Sequence, residues 1–222
     1  MKAIILAGGR GKRLRPITDY VPKPLIPLKN IPIIEWQIKY LKKFGISEVI
    51  ICSGYKTEMI ENYLNNKKLG IKVTFSRESK PLGTGGAIKK AGKKIKDKSF
   101  LVINGDTITN IDLKKLIKKE NSIASIQLKT KFGILQTDKD KIMKFDEKKE
   151  IENLWMNAGI YHLNKETIKE LPNIGDIEKT LFPDYAKKEK LTAVKFTNSK
   201  WYSVDSFKDM EECSLEIEKI IK

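Results

Sequence analysis

The segment Gly8–Pro16 has the composition of a phosphate-binding loop and follows a short apolar run, Ala3–Ala7. Its glycines are Gly8, Gly9 and Gly11, and its cations include Lys12, Arg13 and Arg15. Glycines leave a backbone free to adopt positive φ and to approach a ligand closely, and consecutive N–H groups in such a turn can hold phosphate oxygens. Because a guanidinium can bind a phosphate through two parallel hydrogen bonds, the loop predicts a phosphate-rich ligand.

Two common phosphate loops do not match this segment. The Gly-Lys-Ser/Thr ending of a Walker A loop is absent, and no Gly-x-Gly-x-x-Gly of a dinucleotide-binding fold follows the apolar run. Pro16 also prevents a helix from starting directly after the glycines. Taken alone, the segment leaves a solvated basic turn as the alternative.

A lysine between prolines follows the loop. The stretch Pro22–Pro27 reads Pro-Lys-Pro-Leu-Ile-Pro, and its prolines stiffen the backbone around Lys23. Proline-rich loops are common, so the stretch is a weak signal by itself. Its place shortly after Gly9 indicates a second cation directed into the same pocket.

A carboxylate stands at the end of another apolar run. Asp106, the last residue of an Asn-Gly-Asp triplet, follows Phe100–Ile103. Open α/β sheets bind ligands outside the carboxyl ends of their strands, and hard cations prefer oxygen donors. Asp106 is therefore a candidate Mg²⁺ ligand facing a triphosphate. The alternative is a turn aspartate that caps a following helix.

The hydrophobic pattern predicts an α/β fold with a largely parallel sheet, because short β-branched runs alternate with helical stretches. The predicted strands are Ala3–Ala7, Glu48–Cys52, Ile71–Phe75, Phe100–Ile103, Ile123–Leu128, Gly133–Thr137, Ile142–Phe145, Met156–Leu163, Leu191–Phe196 and Trp201–Val204. The predicted helices are Pro32–Gly45, Glu58–Leu64, Gly83–Lys90, Ile177–Lys187 and Ser206–Ile221. With 222 residues and no linker or repeat, we expect a single domain over 1–222.

Composition narrows the class of protein. Apolar residues make up 40% and charged residues 32% of the chain, as in ordinary globular proteins. No apolar segment has the length of a signal peptide or a membrane span, so we expect a soluble cytoplasmic protein. Cys52 and Cys213 lack the spacing of a zinc site, and we expect the single histidine, His162, to be structural.

The net charge of +16 would suit a nucleic-acid-binding protein. The lysines, however, are scattered over predicted helical faces without interleaved aromatic residues. We therefore expect a small polyphosphate substrate, steered by this charge, and no nucleic acid. Nucleic-acid binding stays open as an alternative.

Six motifs, in order along the chain, resemble those of the sugar-1-phosphate nucleotidylyltransferase (NDP-sugar pyrophosphorylase) family. They are A-G-G-x-G-x-R-L-x-P-x-T at Ala7–Thr18, P-K-P-L-I-P at Pro22–Pro27, L-G-T-G-G-A at Leu82–Ala87, N-G-D at Asn104–Asp106, F-D-E-K at Phe145–Lys148 and N-A-G-I-Y at Asn157–Tyr161. The match extends over essentially the whole chain, and the first motif is close to diagnostic by itself.

The resemblance implies a three-layer α/β/α, Rossmann-like GT-A fold with a mixed, mostly parallel sheet. It implies that a sugar-1-phosphate oxygen attacks the α-phosphate of a nucleoside triphosphate and expels pyrophosphate, with Mg²⁺ as cofactor. Arg13 would contact the β,γ-phosphates, Lys23 the α-phosphate region, and Asp106 the metal. The implied nucleotide-binding residues are Leu6, Ala7, Gly8, Gly9, Gly11, Gly83 and Thr84. Those implied around the sugar phosphate are Gly133, Glu147, Lys148, Asn157 and Glu178.

The sequence departs from the family pattern near its end. Many members carry a second metal-binding aspartate two residues after a tryptophan, whereas Ser203 stands there in this chain, after Trp201. Positions 203 and 205 face the same side of a strand, so we expect Asp205 to take over as metal ligand; the alternative is that it caps the last helix. Lys149 replaces a usual proline, which puts the local loop shape in doubt.

The base and the sugar are the open questions. The Gly85-Gly86 pair and the N-A-G-I-Y stretch look most like guanylyltransferases of mannose- or heptose-type 1-phosphates. A pyrimidine triphosphate (dTTP, UTP or CTP) with glucose-1-phosphate or a related phosphate is the second candidate, and a non-catalytic nucleotide-sugar sensor is a third. Because the chain ends after its last helix, no C-terminal β-helix is expected. A homo-oligomer is compatible with the resemblance.

Overall fold

Apolar runs form strands and amphipathic stretches form helices in the computed structural model, which describes residues 1–130, 132–147 and 150–221. The strands are β1 (Lys2–Ala7), β2 (Pro27–Leu28), β3 (Ile31–Pro32), β4 (Glu48–Ser53), β5 (Lys72–Arg77), β6 (Ser99–Asn104), β7 (Thr107–Thr109), β8 (Ser122–Lys129), β9 (Gly133–Asp138), β10 (Lys141–Glu147), β11 (Glu150–Asn164), β12 (Thr192–Phe196) and β13 (Trp201–Ser203). The helices are α1 (Ile17–Tyr20), α2 (Ile33–Lys43), α3 (Thr57–Asn65), α4 (Gly83–Gly92), α5 (Leu113–Leu116), α6 (Thr167–Glu170), α7 (Leu181–Lys187) and α8 (Phe207–Ile220). Short 3-10 turns span Lys12–Leu14, Lys23–Leu25 and Ile177–Lys179.

The central sheet has the strand order β12-β8-β11-β6-β1-β4-β5. β1 pairs in parallel with β4 and with β6, β4 pairs in parallel with β5, and β8 with β12. β11 runs antiparallel to both of its neighbours. The sheet is therefore mixed and mostly parallel, which confirms the expectation.

Alternating apolar residues of the buried strands divide the core between the two faces of the sheet. Ile5 packs in one cluster with Ile38 of α2 and Ile217 of α8. Its neighbour Ile4 packs in another cluster with Ile88 of α4 and Phe182 of α7. Because successive residues of a strand point to opposite faces, helices cover both faces of the sheet. The expected three-layer α/β/α fold is confirmed.

Three strand ends place the loops of the site at one edge of the sheet. β1 ends directly before Gly8, β5 directly before Glu78, and β6 directly before Gly105. These strands run in the same direction through the β1–β4–β5 and β1–β6 pairings. Their carboxyl ends therefore meet at the edge where open α/β sheets bind ligands.

Several short elements, among them α1, α5 and α6, were not predicted, and two further differences lie near the site. The predicted helix Ile177–Lys187 is interrupted at Thr180, whose φ of -119° and ψ of -86° leave the helical region. Thr107–Thr109, for which no strand was predicted, forms β7 and pairs antiparallel with β13. Three residues are too few to show an alternating pattern in the sequence. The strand forms only because its partner, almost a hundred residues away in the chain, pairs with it.

Within the described ranges, no helix combines the length and the apolar character that crossing a membrane requires.

Candidate active site

A cavity of about 480 Å³ lies at the carboxyl edge of β1, β5 and β6. Its walls come from the Gly8–Pro16 loop, the start of α4, the turn after β6 and the segment after β13. The predicted site residues that it brings together are Leu6, Ala7, Gly8, Gly9, Gly11, Arg13, Lys23, Gly83, Thr84, Asp106 and Asp205.

Gly11 determines the shape of the Gly8–Pro16 loop. Its φ of 62° lies in the left-handed region, and a Cβ at this position would stand 3.1 Å from the Cβ of Lys23. The Thr18 hydroxyl donates to the Gly11 carbonyl at 3.0 Å. A larger residue is therefore disfavoured both by the backbone conformation and by the close approach of Lys23. The turn leads into the 3-10 turn that carries Arg13 to the cavity.

Lys23 forms ion pairs with both predicted metal ligands, Asp106 and Asp205. Its Nζ lies 2.8 Å from Asp106 Oδ2 and 2.7 Å from Asp205 Oδ1. The Arg13 Nη2 lies 2.9 Å from the same Asp205 oxygen. Two neighbouring carboxylates repel each other unless a cation stands close to both. The geometry therefore favours a positive charge between Asp106 and Asp205.

Asp205 is directed towards this cluster and not towards the helix that follows it. Burial raises the pKa of its carboxyl, but Lys23, with help from Ser203 and Arg13, outweighs burial and lowers the pKa below its ordinary value. The N-cap of α8 is Ser206, whose hydroxyl accepts a backbone N–H of the first turn, so the helix-cap alternative for Asp205 is wrong. The predicted alternation of side chains along a strand does not explain the position of Asp205 either, because β13 ends at Ser203. Instead, the Ser203 hydroxyl donates to Asp205 Oδ2 at 2.9 Å.

The turn that carries Asp106 leads into β7 and not into a helix, so the helix-cap alternative for Asp106 is also wrong. Gly105 lies directly on the end of β1, where its N–H donates to the Leu6 carbonyl oxygen at 3.0 Å. A Cβ on Gly105 would collide with this same oxygen. Glycine is therefore required for the turn to lie against β1.

Packing explains the paired glycines at the start of α4. A Cβ on Gly86 would stand 2.6 Å from the Asn173 carbonyl oxygen, and one on Gly85 would stand 3.0 Å from the Gly175 carbonyl oxygen. The helix start thus lies against the loop 172–175. Thr84 lines the cavity, whereas Gly85 and Gly86 are outside its described lining. Packing against this loop therefore accounts for both glycines.

Glu78 supplies a carboxylate that the sequence analysis missed. It lines the cavity beside Gly8, where a Cβ would stand 2.8 Å from Glu78 Oε1. The Leu82 N–H donates to Glu78 Oε2 at 3.2 Å. Burial raises the pKa of this carboxyl above its ordinary value of 4.5, and the Leu82 N–H and Lys90 oppose the shift. Gly8 therefore leaves room for an acidic group in the wall of the cavity.

Glu178 connects the cavity wall to the predicted sugar-phosphate residues. The Thr84 hydroxyl donates to Glu178 Oε2 at 2.5 Å, and the Tyr161 hydroxyl donates to Glu178 Oε1 at 3.1 Å. The Asn157 amide donates to the Tyr161 oxygen at 2.9 Å. Burial, reinforced by the charge of Glu178, raises the pKa of Tyr161, so its hydroxyl keeps the proton that it donates. Asn157 and Glu178 thus belong to one hydrogen-bonded chain that starts at the cavity.

The remaining sugar-phosphate residues lie on the β9–β10 hairpin or beyond the described ranges. Gly133 faces Glu147 across the hairpin, and a Cβ on Gly133 would stand 3.2 Å from Glu147 Oε2. Neither residue is in the described lining of the cavity. Lys148 and Lys149 lie outside the described residues. The roles of Gly133, Glu147 and Lys148 stay predictions.

A family model for nucleotidyl transferases matches residues 2–220 of the chain. The chain belongs to the nucleotidyl transferase family. The match covers all six motifs and confirms the resemblance to the sugar-1-phosphate nucleotidylyltransferases, and with it the expectation of an enzyme that transfers nucleotidyl groups.

Curated relatives of this nucleotidyltransferase carry related names. A protein of Campylobacter jejuni named D-glycero-alpha-D-manno-heptose 1-phosphate guanylyltransferase is 40% identical over 202 residues, which cover 88% of this chain and 84% of the relative. A protein of the same name from Aneurinibacillus thermoaerophilus is 42% identical over 173 residues, which cover 74% of this chain and 75% of the relative. Among solved structures, HddC from Yersinia pseudotuberculosis has a TM-score of 0.78 and 29% identity over 97% of this chain and 98% of its own.

One signal in the nucleotidyltransferase sequence could have revealed Glu78. It is the single acidic residue between Ile71 and Gly83, and it comes shortly after a predicted strand. The same rule, a carboxylate at the carboxyl end of a strand, identified Asp106. Applied to every strand, it would have placed Glu78 at the same edge of the sheet.

Proposed function

We propose that this enzyme transfers a guanylyl group from GTP to a mannose- or heptose-type 1-phosphate and releases pyrophosphate. The names of the two bacterial relatives support this choice, as does the structure of HddC from Yersinia pseudotuberculosis complexed with GMP-PN, at 28% identity and a TM-score of 0.77. The observation that carries the choice of base is the Glu78 carboxylate beside Gly8 in the cavity.

The chemistry of guanine matches this carboxylate. Guanine presents two donors side by side, the ring N1–H and the exocyclic N2–H₂, and a carboxylate accepts both in a charge-assisted two-point contact. Uracil and thymine flank one donor with two carbonyls, while cytosine and adenine place a ring-nitrogen acceptor beside their amino group. Each would therefore direct a lone pair at Glu78. A site built to pair with the donors of its substrate strongly rejects analogues that lack them.

The carboxylates of Asp106 and Asp205 fit a divalent cation. They already gather around one cation, the ammonium of Lys23, and both offer the hard oxygen donors that Mg²⁺ prefers. At nucleotide sites, Mg²⁺ commonly takes one or two protein carboxylates together with phosphate oxygens of the substrate. Mg²⁺ held by this pair would neutralise negative charge on the reacting phosphates.

The reaction requires positioning and charge neutralisation and no nucleophilic side chain. An oxygen of the sugar phosphate forms a bond to the α-phosphorus of GTP, while the bond from that phosphorus to the departing pyrophosphate breaks. No general base is needed, because the attacking phosphate is already ionised at neutral pH. Arg13 and Lys23 both contact Asp205, and their cationic ends would bind phosphate oxygens, Arg13 at the leaving pyrophosphate and Lys23 at the α-phosphate.

The sugar phosphate would bind on the side of the cavity where Thr84 meets Glu178. Because Thr84 lines the cavity and donates to Glu178, the two substrate pockets would share this wall. The hydrogen-bonded chain through Tyr161 would hold Asn157 and Glu178 in fixed positions for the sugar hydroxyls. The proposed sugar-phosphate residues are Gly133, Glu147, Lys148, Asn157 and Glu178.

Replacing Glu78 with glutamine should reduce the preference for GTP over UTP about 10- to 100-fold, the range expected for a two-point base contact worth about 1–3 kcal/mol. The amide keeps the size of the side chain but places a donor against a donor of guanine. The measurement is kcat/KM for each triphosphate in a pyrophosphate-release assay. The KM for GTP should also rise as the pH falls through the raised pKa of Glu78, and Glu78→Gln should lack this rise.

Glu48→Gln is the matched control for this experiment. Glu48, on β4, is a buried glutamate that pairs with Lys2 and Lys72 outside the described lining of the cavity. Its substitution should leave the ranking of triphosphates unchanged. An equal loss of kcat/KM for every triphosphate in Glu78→Gln would show that Glu78 does not select the base.

A further inference from the structure

The side chain of Gln37, on α2, is fastened to the turn that carries Asp106. Gln37 is 1% exposed. Its Nε2 donates to the Asn104 carbonyl oxygen at 2.7 Å and to the Thr107 carbonyl oxygen at 2.9 Å. These two carbonyls stand on either side of Gly105 and Asp106, so one amide group spans the whole turn.

The position of this turn also decides how Asp106 lies relative to Asp205. The Asp106 carbonyl oxygen accepts from the Val204 N–H at 3.0 Å, directly before Asp205 in the chain. The Gly105 N–H donates to β1 on the opposite side. The turn that Gln37 holds at both ends is therefore hydrogen-bonded to the backbone directly before Asp205, and it carries Asp106 itself.

The carbonyl oxygen of the Gln37 amide indicates why a glutamine stands at this position. Its Oε1 is buried and has no hydrogen-bond partner among the described protein atoms. A buried polar atom without a partner costs stability, and an apolar side chain of the same size would avoid that cost. The NH₂ group, with its two donors, is therefore the feature that this position uses.

We propose that Gln37 is a positioning residue for nucleotidyl transfer: it holds the Asn104–Thr107 turn so that Asp106 and Asp205 face a common cation. The inference rests on the proposed roles of these carboxylates. Gln37 itself is outside the described lining of the cavity and acts through the turn. Supporting groups of this kind typically change metal affinity about 10- to 100-fold when they are removed.

Gln37→Met removes both donors with an apolar side chain, and Gln37→Glu leaves at most the single O–H donor of a protonated carboxyl. Tyr40→Phe is the matched control, because the buried Tyr40 hydroxyl, on the same helix, donates to the Ile111 carbonyl oxygen at 2.6 Å. The first readout is hydrogen–deuterium exchange of peptides that contain Gly105 and Val204. The second is Mn²⁺ binding in the presence of a non-hydrolysable GTP analogue, followed by the electron paramagnetic resonance of free Mn²⁺. The third is the steady-state kinetics.

Both Gln37 variants should exchange about tenfold faster at Gly105 and Val204 and bind Mn²⁺ about tenfold more weakly. Their kcat should fall while the KM for GTP stays within about twofold, whereas Tyr40→Phe should change none of these. Unchanged exchange, or unchanged Mn²⁺ affinity, in a folded Gln37 variant would overturn the inference. If the unsubstituted protein bound no Mn²⁺, the proposed cation site would be wrong, and the exchange rates alone would decide whether Gln37 holds the turn.

Discussion

Replacing Asp106 with asparagine should lower kcat about a thousandfold, the upper end of what the loss of one electrostatic contact to a transition state costs. The amide has the same shape but lacks the charge that holds a cation against the phosphates. Lys23 would keep its contact with Asp205, so the fold around the cavity should stay intact. The measurement is pyrophosphate release at saturating GTP and sugar phosphate, with circular dichroism to verify folding.

Asp112→Asn is the control for this prediction. Asp112 lies six residues further along the chain and caps α5, where its side chain accepts from the Lys114 N–H at 2.9 Å. Asparagine is an equally good cap, so this variant should keep full activity. If Asp106→Asn retained more than about a tenth of the activity, Asp106 would not bind the catalytic cation.

Asp205→Asn should lower kcat about a hundredfold and raise the Mg²⁺ concentration needed for half-maximal rate. The substitution removes one of the two carboxylates that Lys23 contacts and the carboxylate that Arg13 contacts, so neither the cation nor the phosphate-binding side chains keep their arrangement. Ser203→Ala removes only the hydroxyl that donates to Asp205, and its effect should be about tenfold or less. The measurement is the rate of pyrophosphate release over a range of Mg²⁺ concentrations.

Ser206→Ala separates the helix cap from the cation site. Ser206 is the N-cap of α8, so its loss should cost about 1 kcal/mol of stability and leave the Mg²⁺ dependence unchanged. A Mg²⁺ dependence of Asp205→Asn that equals that of the unsubstituted protein would mean that Asp205 does not replace the aspartate missing at position 203.

The parts of the site that depend on one short segment could be predicted from the sequence. Gly11 illustrates this, since a glycine in a loop directly after a buried strand indicates a positive φ and a close approach, and the structure has both. The order of strands and helices in the first half of the chain likewise follows from apolar runs and their period. These signals are local, so one sequence suffices to read them.

The parts that depend on distant segments could not be predicted in this way. Gln37 lies on a helix whose apolar stripe predicts only packing, and its two hydrogen bonds connect it to residues about seventy positions away. The Gly85-Gly86 pair suggested a base preference from the sequence. In the structure, glycine is needed at both positions because the loop 172–175 packs closely against the start of α4. The prediction that Asp205 lies beside Asp106 assumed a strand through both positions 203 and 205, but β13 ends at Ser203. Tertiary contacts, such as the hydrogen bond from the Ser203 hydroxyl, hold the Asp205 side chain in place instead.

Pyrophosphate release by the unsubstituted protein shows whether GTP and a mannose- or heptose-type 1-phosphate are its substrates. The assay pairs GTP, ATP, CTP, UTP and dTTP with mannose-, heptose- and glucose-1-phosphates in the presence of Mg²⁺. We predict that GTP with a mannose- or heptose-type phosphate reacts at least about tenfold faster than any other pair, a difference of about 1.4 kcal/mol. Faster reaction of a pyrimidine triphosphate with glucose-1-phosphate would show that the proposed substrates are wrong. GTP binding without turnover in any pair would indicate a nucleotide-sugar sensor instead of an enzyme.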